Sequence, residues 1–499
     1  VALIINKEPK LLPKREAFPY QAEAVEAVRD LPYAAVFHEQ GLGKTKIAID
    51  IILYWLQKDA VDTVLLVTKK TLVANWKREL EQHSFLTPRI LSSDRNQNFF
   101  ALNSPVRVLL THFEAVGLEL SRLKLFQKTR RVAAVLDESA KIKNPDTALT
   151  KAYFDLAPRF VQRLILTGTP VANRPHDLWA QIYFLDQGAS LGSSFEDFQS
   201  TVELSNNLSR NELQRDRFED ELAGLWKKIA PFSVRETKDG GRIQLPQKIV
   251  ESIRCGWEAR QRKMYLNIRD ETRVSVIQDG SQAVDESPAI LKRLLRLVQV
   301  ASNPRLIDES YNNLPGKWEI LQDLVADIVA SNEKAIVWTT FTENAEWLAS
   351  KLANCNAAII HGKLTIDQRN RNIERFLKRA DCKILVATPG AAKEGLTLTV
   401  ANHVIFFDRG FSLDDYLQSQ DRIHRVSQTK TCYVYNLIME DSVDEWVDAL
   451  LEAKRAAAQL AQGDISKEVY QMRMSYSFGD VLKKILAIQE NDKKGEKDD

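Results

Sequence analysis

The chain has 499 residues, enough at roughly 100–200 residues per domain for two to four packed units. Its 44% hydrophobic and 27% charged content is ordinary globular usage and excludes a largely disordered, collagenous or fibrous protein. Four scattered cysteines (Cys255, Cys355, Cys382 and Cys432) exclude a zinc ribbon and a disulfide scaffold, and 69 basic against 67 acidic residues leave a formal charge of +2 that names no polyanionic partner.

Short runs rich in Val, Ile, Leu and Ala recur at residues 34–37, 63–68, 106–111, 132–136 and 163–167, each followed by a helical pattern. Near-continuous apolar runs of this length are the mark of parallel strands buried on both faces, so the first third reads as one α/β layer domain. From about residue 190 to 315 strand signals thin out and charged amphipathic segments dominate; residues 291–300 have helical spacing. A second strand set follows at 334–340, 357–360, 383–387, 403–407 and 432–437. The spacing predicts a first lobe over residues 1–240, with a helical insertion near 186–232. It predicts a second over 241–455, with an insertion near 258–312, and a C-terminal helical segment and charged tail over 456–499. The turn at Asp239-Gly240-Gly241 marks the boundary. Residues 121–131 carry five basic and no acidic side chains and read as a solvent-facing lobe surface; residues 491–499 read as a disordered tail. No apolar run approaches the ~18 residues of a membrane-spanning helix, and no signal peptide is visible, so a cytoplasmic protein is expected, or a nuclear one if eukaryotic. The chain opens on Val1 rather than Met, as a piece of a longer protein would.

Gly41-Leu42-Gly43-Lys44-Thr45 lies between the first strand and the helical pattern 47–56. That order is what a phosphate-binding loop requires, because helix N-terminal N–H groups then face the phosphates; Lys44 would reach the β- and γ-phosphates and Thr45 a Mg²⁺ ion. The strict pattern wants Gly where His38 stands, and a plain glycine loop before a helix is the alternative. Asp137-Glu138 ends an apolar strand, at the sheet edge where ligands sit in open α/β folds. Asp137 would hold Mg²⁺ and Glu138 would orient and deprotonate an attacking water, against the alternative of a solvated acidic turn. Arg422 and Arg425, three apart, would share one helix face and stabilise a transferring phosphoryl group; an exposed basic helix is the alternative.

The order of these motifs resembles the SWI/SNF-type ATPases, double-stranded DNA translocases of helicase superfamily two, over residues 18–447. Tyr20-Gln21 is similar to the family's opening motif, and His38 to Thr45 to its motif I. Val67-Thr68-Lys69 through Trp76 is similar to motif Ia, and Leu110 to Glu114 to motif Ib. Asp137-Glu138-Ser139-Ala140-Lys141-Ile142-Lys143-Asn144 resembles motif II, and Leu166-Thr167-Gly168-Thr169-Pro170 motif III. Gly395-Leu396-Thr397-Leu398-Thr399 stands for motif V, and Asp421 to Gln428 closely matches motif VI. Ser233 to Lys238 and Leu245-Pro246 resemble the exit from lobe one, and Ala301 to Pro304 a segment of the helical insertion.

The resemblance implies two tandem RecA-like P-loop lobes with parallel sheets and helical insertions, working as an ATP-driven motor on duplex DNA. ATP and Mg²⁺ are the implied cofactors. Gln21, Gly41, Gly43, Lys44, Thr45 and Gly395 would bind nucleotide, Thr45 and Asp137 the metal, and Lys44, Glu138, Arg422 and Arg425 would serve hydrolysis. Thr167, Gly168 and Thr169 would couple the nucleotide state to DNA, whose phosphates Thr68, Lys69, Thr111, His112, Arg235, Lys238 and Thr388 would contact. Trp76 and Trp338 are expected in the core, and His361-Gly362 in a loop near DNA or a structural turn. Two departures stand out: Ala140 replaces the family's usual His, which bears on coupling, and Thr397 replaces the usual Asn, which bears on DNA contacts. A strand-separating or RNA-directed helicase and a nucleotide-gated scaffold subunit are the rival functions. Target choice would come from a missing N-terminal region, a partner protein or DNA structure. The basic residues would then be unevenly placed, along one groove.

Overall fold

Near-continuous burial identifies the central strands: every residue of β2 (Thr63–Thr68), β4 (Val108–His112) and β5 (Val132–Asp137) is shielded from water. These runs pair side by side in the computed structural model, which describes residues 9–203, 212–240, 242, 245–278, 288–392, 397–474 and 486. They belong to a parallel sheet that also holds β1 (Tyr33–Val36), β3 (Arg89–Ile90), β6 (Gln162–Leu166) and β7 (Ser233–Val234). Its order is β3-β4-β2-β5-β6-β1-β7. The helix Lys44–Gln57 contributes Ile47, Ile51 and Trp55 to the core that also contains Val64, Leu66, Leu110 and Val135. Burial of each such side chain is worth ~1.5–3 kcal/mol.

A second parallel sheet, in the order β10-β11-β9-β12-β13-β8, is built from β8 (Lys248–Cys255), β9 (Ala335–Trp338), β10 (Ala358–Ile360), β11 (Ile384–Ala387), β12 (His403–Phe406) and β13 (Cys432–Met439). Ile336, Trp338, Leu385, Val404, Val434 and Phe376 fill its core. The chain divides into two compact units, Val1–Val202 with Glu221–Gln244, and Glu203–Asp220 with Leu245–Asp499.

The ten expected strands are all present, with ends shifted by one or two residues. Three more are not visible in the run pattern. β3 and β7 are two residues long, and the eight residues of β8 form an edge strand whose Lys248, Glu251 and Arg254 keep it from reading as an apolar run. Charged side chains on an edge discourage pairing with another sheet. The segment 291–300 lies in the helix Pro288–Ser302. The Ala301 to Pro304 segment anchors this helix: Ser302 Oγ donates to Asp408 (2.6 Å) and Asn303 Nδ2 to Asn344 Oδ1 (3.0 Å). Asp408 also accepts from Thr339 Oγ1 and the Thr340 N–H, so one buried carboxylate gathers the ends of β9 and β12 with the insertion. The basic segment 121–131 lies mostly in the helix Leu120–Thr129, with Leu123 and Phe126 buried. All four cysteines are free. Among the described residues no helix is long and apolar enough to cross a membrane. The expected tail at 491–499 lies outside the described residues.

Candidate active site

Strand order brings three loops of the first unit together. β6 lies between β5 and β1, with Leu166 in register with both Asp137 and Val36, so the segments that follow these strands leave one edge of the sheet as neighbours.

The loop after β1 turns on Gly41 (φ 86°) and Gly43 (φ 73°), left-handed conformations that glycine adopts without steric cost. Gly43 is also needed for space, because a Cβ there would lie 2.2 Å from Gln21 Nε2. Gly43 precedes the helix Lys44–Gln57, and the first N–H groups of a helix suit an anion. Lys44 Nζ donates to the carbonyls of His38 (2.9 Å) and Glu39 (3.2 Å). Gln21 is occupied at both ends of its amide: Oε1 accepts from the Phe18 N–H, and Nε2 donates to the Leu42 carbonyl (3.3 Å), which also accepts from Tyr20 Oη. The opening motif thus clasps the glycine loop from behind. His38 is buried, and burial, then the neighbouring Lys44, push its imidazole down to about 4.

Asp137 and Glu138 sit at the end of β5 in different surroundings. Asp137 Oδ2 accepts from Trp76 Nε1 (2.7 Å) and Thr68 Oγ1 (3.1 Å). Burial, and then the Glu138 charge, raise the Asp137 pKa, while Trp76, Lys44 and Thr68 pull it back. The Asp137 carboxylate and the Thr45 hydroxyl are each hard oxygen donors of the kind that suits Mg²⁺ accompanying phosphates. Among the described residues no group of three or more His, Cys, Asp and Glu could hold a metal, so any ion here would draw on these oxygens, water and phosphate. Glu138 has φ 60° and ψ 49°, a left-handed conformation that costs a non-glycine residue about 1–3 kcal/mol and is kept where the surroundings impose it. Its carboxylate faces Lys69 Nζ at 3.8 Å.

The turn after Glu138 is tied to the loop after β6. Ser139 Oγ donates to Gln181 Oε1 (2.7 Å), and Gln181 Nε2 donates to the carbonyls of Pro170 and Asp177 (both 2.8 Å). Lys143 Nζ donates to Asp177 Oδ2 (3.0 Å), which also accepts the N–H of Asn173 and Arg174. The segments around motifs II and III are therefore joined at Ser139 and Lys143, on either side of Ala140. Thr167 Oγ1 accepts the Thr169 N–H, and a Cβ on Gly168 would come within 2.7 Å of Gln40 and 3.2 Å of Lys44 Nζ, so this turn rests directly on the glycine loop. Trp76 is in the core as expected, and its bond to Asp137 adds a role there; Asp177 and Gln181 were not singled out by the sequence. The visible signal for Gln181 was a lone amide inside the otherwise apolar helix Trp179–Asp186.

In the second unit Arg422 and Arg425 do not share a helix face. The helix Leu413–Gln420 ends before them and they lie in consecutive turns. The cause is competition for carbonyls: the Leu398 N–H takes the Arg422 carbonyl, and Gln428 Nε2 reaches those of Ile423, Ala401 and Thr399. Arg425 Nε donates to the Asp421 carbonyl and Nη1 to Thr397 Oγ1 (3.0 Å), so the hydroxyl that replaces the family's usual Asn supports an arginine. Arg422 is buried and Arg425 partly exposed. Gly395 lies outside the described residues.

The expected DNA contacts separate into two groups. Thr68 and Thr111 are fully buried strand residues whose hydroxyls serve Asp137 and the Leu91 carbonyl, so in this structure neither offers its hydroxyl to a surface groove. Thr388 is also buried, and His112 Nδ1 is bonded to Glu114 (3.0 Å). Arg235 Nη1 donates to the Phe37 carbonyl at the end of β1, and Lys238 binds Glu39 through its backbone N–H. Lys69 and Lys238 keep partly exposed side chains. His361 is buried, with Glu346 3.5 Å away, and Trp338 is in the core as expected.

Residues 20–306 match the SNF2-related domain and residues 316–427 the helicase conserved C-terminal domain. An uncharacterised ATP-dependent helicase of Mycoplasma genitalium is 27% identical over 86% of this chain and 40% of its own length. The chromatin structure-remodeling complex subunit snf21 of Schizosaccharomyces pombe is 25% identical over 99% of this chain and 44% of its own. The chain thus spans less than half the length of these two relatives. The Sulfolobus solfataricus SWI2/SNF2 ATPase core in complex with dsDNA is 25% identical, with 95% of this chain and 97% of that chain covered and a TM-score of 0.42. With more than half of its residues inside the first match, the chain belongs to the SNF2-related domain family.

Proposed function

We propose that this protein is a DNA-dependent ATPase that moves along duplex DNA and displaces or remodels what is bound there. The observation that carries the reading is the convergence, on neighbouring strand ends of one sheet, of a glycine loop with Lys44, the paired Asp137 and Glu138, and a turn at Gly168 resting on both loop and lysine. Such a site positions and neutralises a triphosphate, and phosphoryl transfer asks little else of a protein.

In the proposed reaction the N–H groups at the start of the helix Lys44–Gln57 and the Lys44 ammonium bind the phosphates. Glu138 accepts a proton from water as the water oxygen bonds to the γ-phosphorus and the bond to the bridging oxygen breaks, leaving ADP and phosphate. Thr45 and Asp137 would hold Mg²⁺, whose charge would offset that of the phosphates. Arg422 and Arg425 of the second unit are the cations assigned to the transferring group, and Thr397 holds one of them. Hydrolysis would reach the DNA-binding elements through Gly168 and the Ser139-Gln181-Pro170 link. Relatives named as subunits of remodelling complexes support protein on duplex DNA as the target.

Steady-state turnover with and without duplex DNA tests the reading. Duplex DNA should stimulate the wild type, and Glu138→Gln should lower kcat ~10²–10⁴-fold, the usual worth of a general base, while ATP binding persists. A Glu138→Gln variant that turns over normally removes Glu138 as the base. A wild type indifferent to duplex DNA removes the DNA dependence.

A further inference from the structure

Consecutive residues at the end of β2 meet consecutive carboxylates at the end of β5. The two strands are neighbours with Val67 in register with Leu136. Thr68 then gives its hydroxyl to Asp137, and Lys69 places its ammonium 3.8 Å from Glu138. The Thr68 contact is fully buried, whereas the side chains of Lys69 and Glu138 keep 27% and 18% of their surface exposed. One contact is thus built in. The other joins a long, flexible side chain, open to solvent, to the group assigned to activate water.

We propose that Lys69 is a positioning residue for Glu138, which it restrains in the DNA-free protein and releases when a phosphate of duplex DNA takes its ammonium. This rests on the reading of Glu138 as the base. An ammonium 3.8 Å away attracts the carboxylate oxygen electrostatically and competes with water for it, and the same oxygen must receive the proton of water. Glu138 has little freedom to escape by moving its backbone, because its left-handed turn is clamped through Ser139 to Gln181. Lys69 has the freedom Glu138 lacks. Its ammonium is a hydrated point charge on a four-carbon stem, suited to exchange a carboxylate for a backbone phosphate. DNA would then accelerate hydrolysis by removing a restraint, without having to build the site.

The experiment compares wild type, Lys69→Met, Lys69→Arg and the double variant Lys69→Met/Glu138→Gln, measuring kcat and KM for ATP without DNA and with saturating duplex. Lys69→Met should raise the DNA-free kcat about two- to fivefold, the scale of a partly exposed ion pair, with KM unchanged and the stimulation ratio reduced by the same factor. Lys69→Arg should keep the low DNA-free rate, and the gain should vanish in the double variant. A lysine that merely supports the fold would not give a faster enzyme when removed. A DNA-free rate for Lys69→Met equal to or below that of wild type overturns the proposal. A gain without any DNA stimulation of wild type would keep the restraint but overturn the phosphate as its release. Normal turnover by Glu138→Gln alone, by contrast, fails the reading of the base and not the contact.

Discussion

The nucleotide-binding loops of the first unit and the arginine segment of the second are held by opposite means. In the first unit the glycine loop, the acidic pair and the Gly168 turn each follow a buried strand, and their placement follows from sheet register: Val36, Asp137 and Leu166 are aligned across three strands. Side-chain contacts then adjust what the sheet has already placed. In the second unit Arg422 and Arg425 lie beyond the end of a helix, in turns held by a few local contacts: the Leu398 N–H on the Arg422 carbonyl, Arg425 on the Asp421 carbonyl and Thr397, and the Gln428 amide shared among three carbonyls. A sheet edge tolerates the loss of a single side chain, because many backbone hydrogen bonds share the work. A turn held by a few such contacts does so less. The first design suits groups that must always be in place, and the second suits a cation whose position is set by local contacts.

The sharpest way to break this contrast is at the arginine itself. Arg425→Ala should lower kcat by ~10³-fold with little change in ATP affinity, since cations of this kind act on the transition state. Thr397→Val, which removes only the hydroxyl that accepts from Nη1, should give a smaller loss in the same direction. Single-turnover kinetics with an independent ATP titration separates the two effects, and a loss confined to binding removes Arg425 as a transition-state group.

A stability measurement sharpens the comparison further. Gln428→Leu removes the two N–H donors that are shared among three carbonyls, and each donor lost from a buried or partly buried carbonyl costs ~1–3 kcal/mol, so the second unit should lose about 2–6 kcal/mol. Calorimetry should show its transition moving down while that of the first unit holds. A variant that melts like wild type would mean the turn is held by something other than this amide.

The smallest expected effect lies in the first unit. His38 is held neutral, its pKa pushed down to about 4 from the ordinary 6.5, so the unfolded chain binds more protons between these values. Stability contributed by the neutral ring is complete above pH 6.5 and is lost as pH falls toward 4. Between pH 7 and 5 the loss is about 2 kcal/mol. His38→Asn should flatten this acid limb in denaturant titrations at several pH values, and an unchanged slope would show that other groups dominate it.

The candidate site was legible wherever its chemistry is local. Gly41 and Gly43 must be glycine because the chain there adopts positive φ, and Lys44 and Thr45 follow because a helix begins. Asp137-Glu138 stood out because five apolar residues precede it and a strand must end at the ligand-bearing edge. Residues whose roles depend on a distant partner were not legible. Trp76 meets Asp137 across 61 positions, Ser139 meets Gln181 across 42, and Thr397 meets Arg425 across 28. Trp76 could be read only as core, which it also is. The spacing of Arg422 and Arg425 pointed to a helix face because spacing carries no information about Gln428, whose amide draws the carbonyls elsewhere.

The amino-acid sequence by itself determined that the chain builds two α/β units, that each is sheeted by short parallel strands, and that a glycine loop and an acidic pair end two of those strands. These follow from hydrophobic periodicity and backbone conformational limits, which act over a few residues. Tertiary structure alone decided which residue stands beside which: Trp76 and Thr68 on Asp137, Lys69 on Glu138, Gln181 between Ser139 and Pro170, and Thr397 on Arg425. Strand order and register set those meetings, and both result from packing of the whole sheet, which no local stretch of sequence contains.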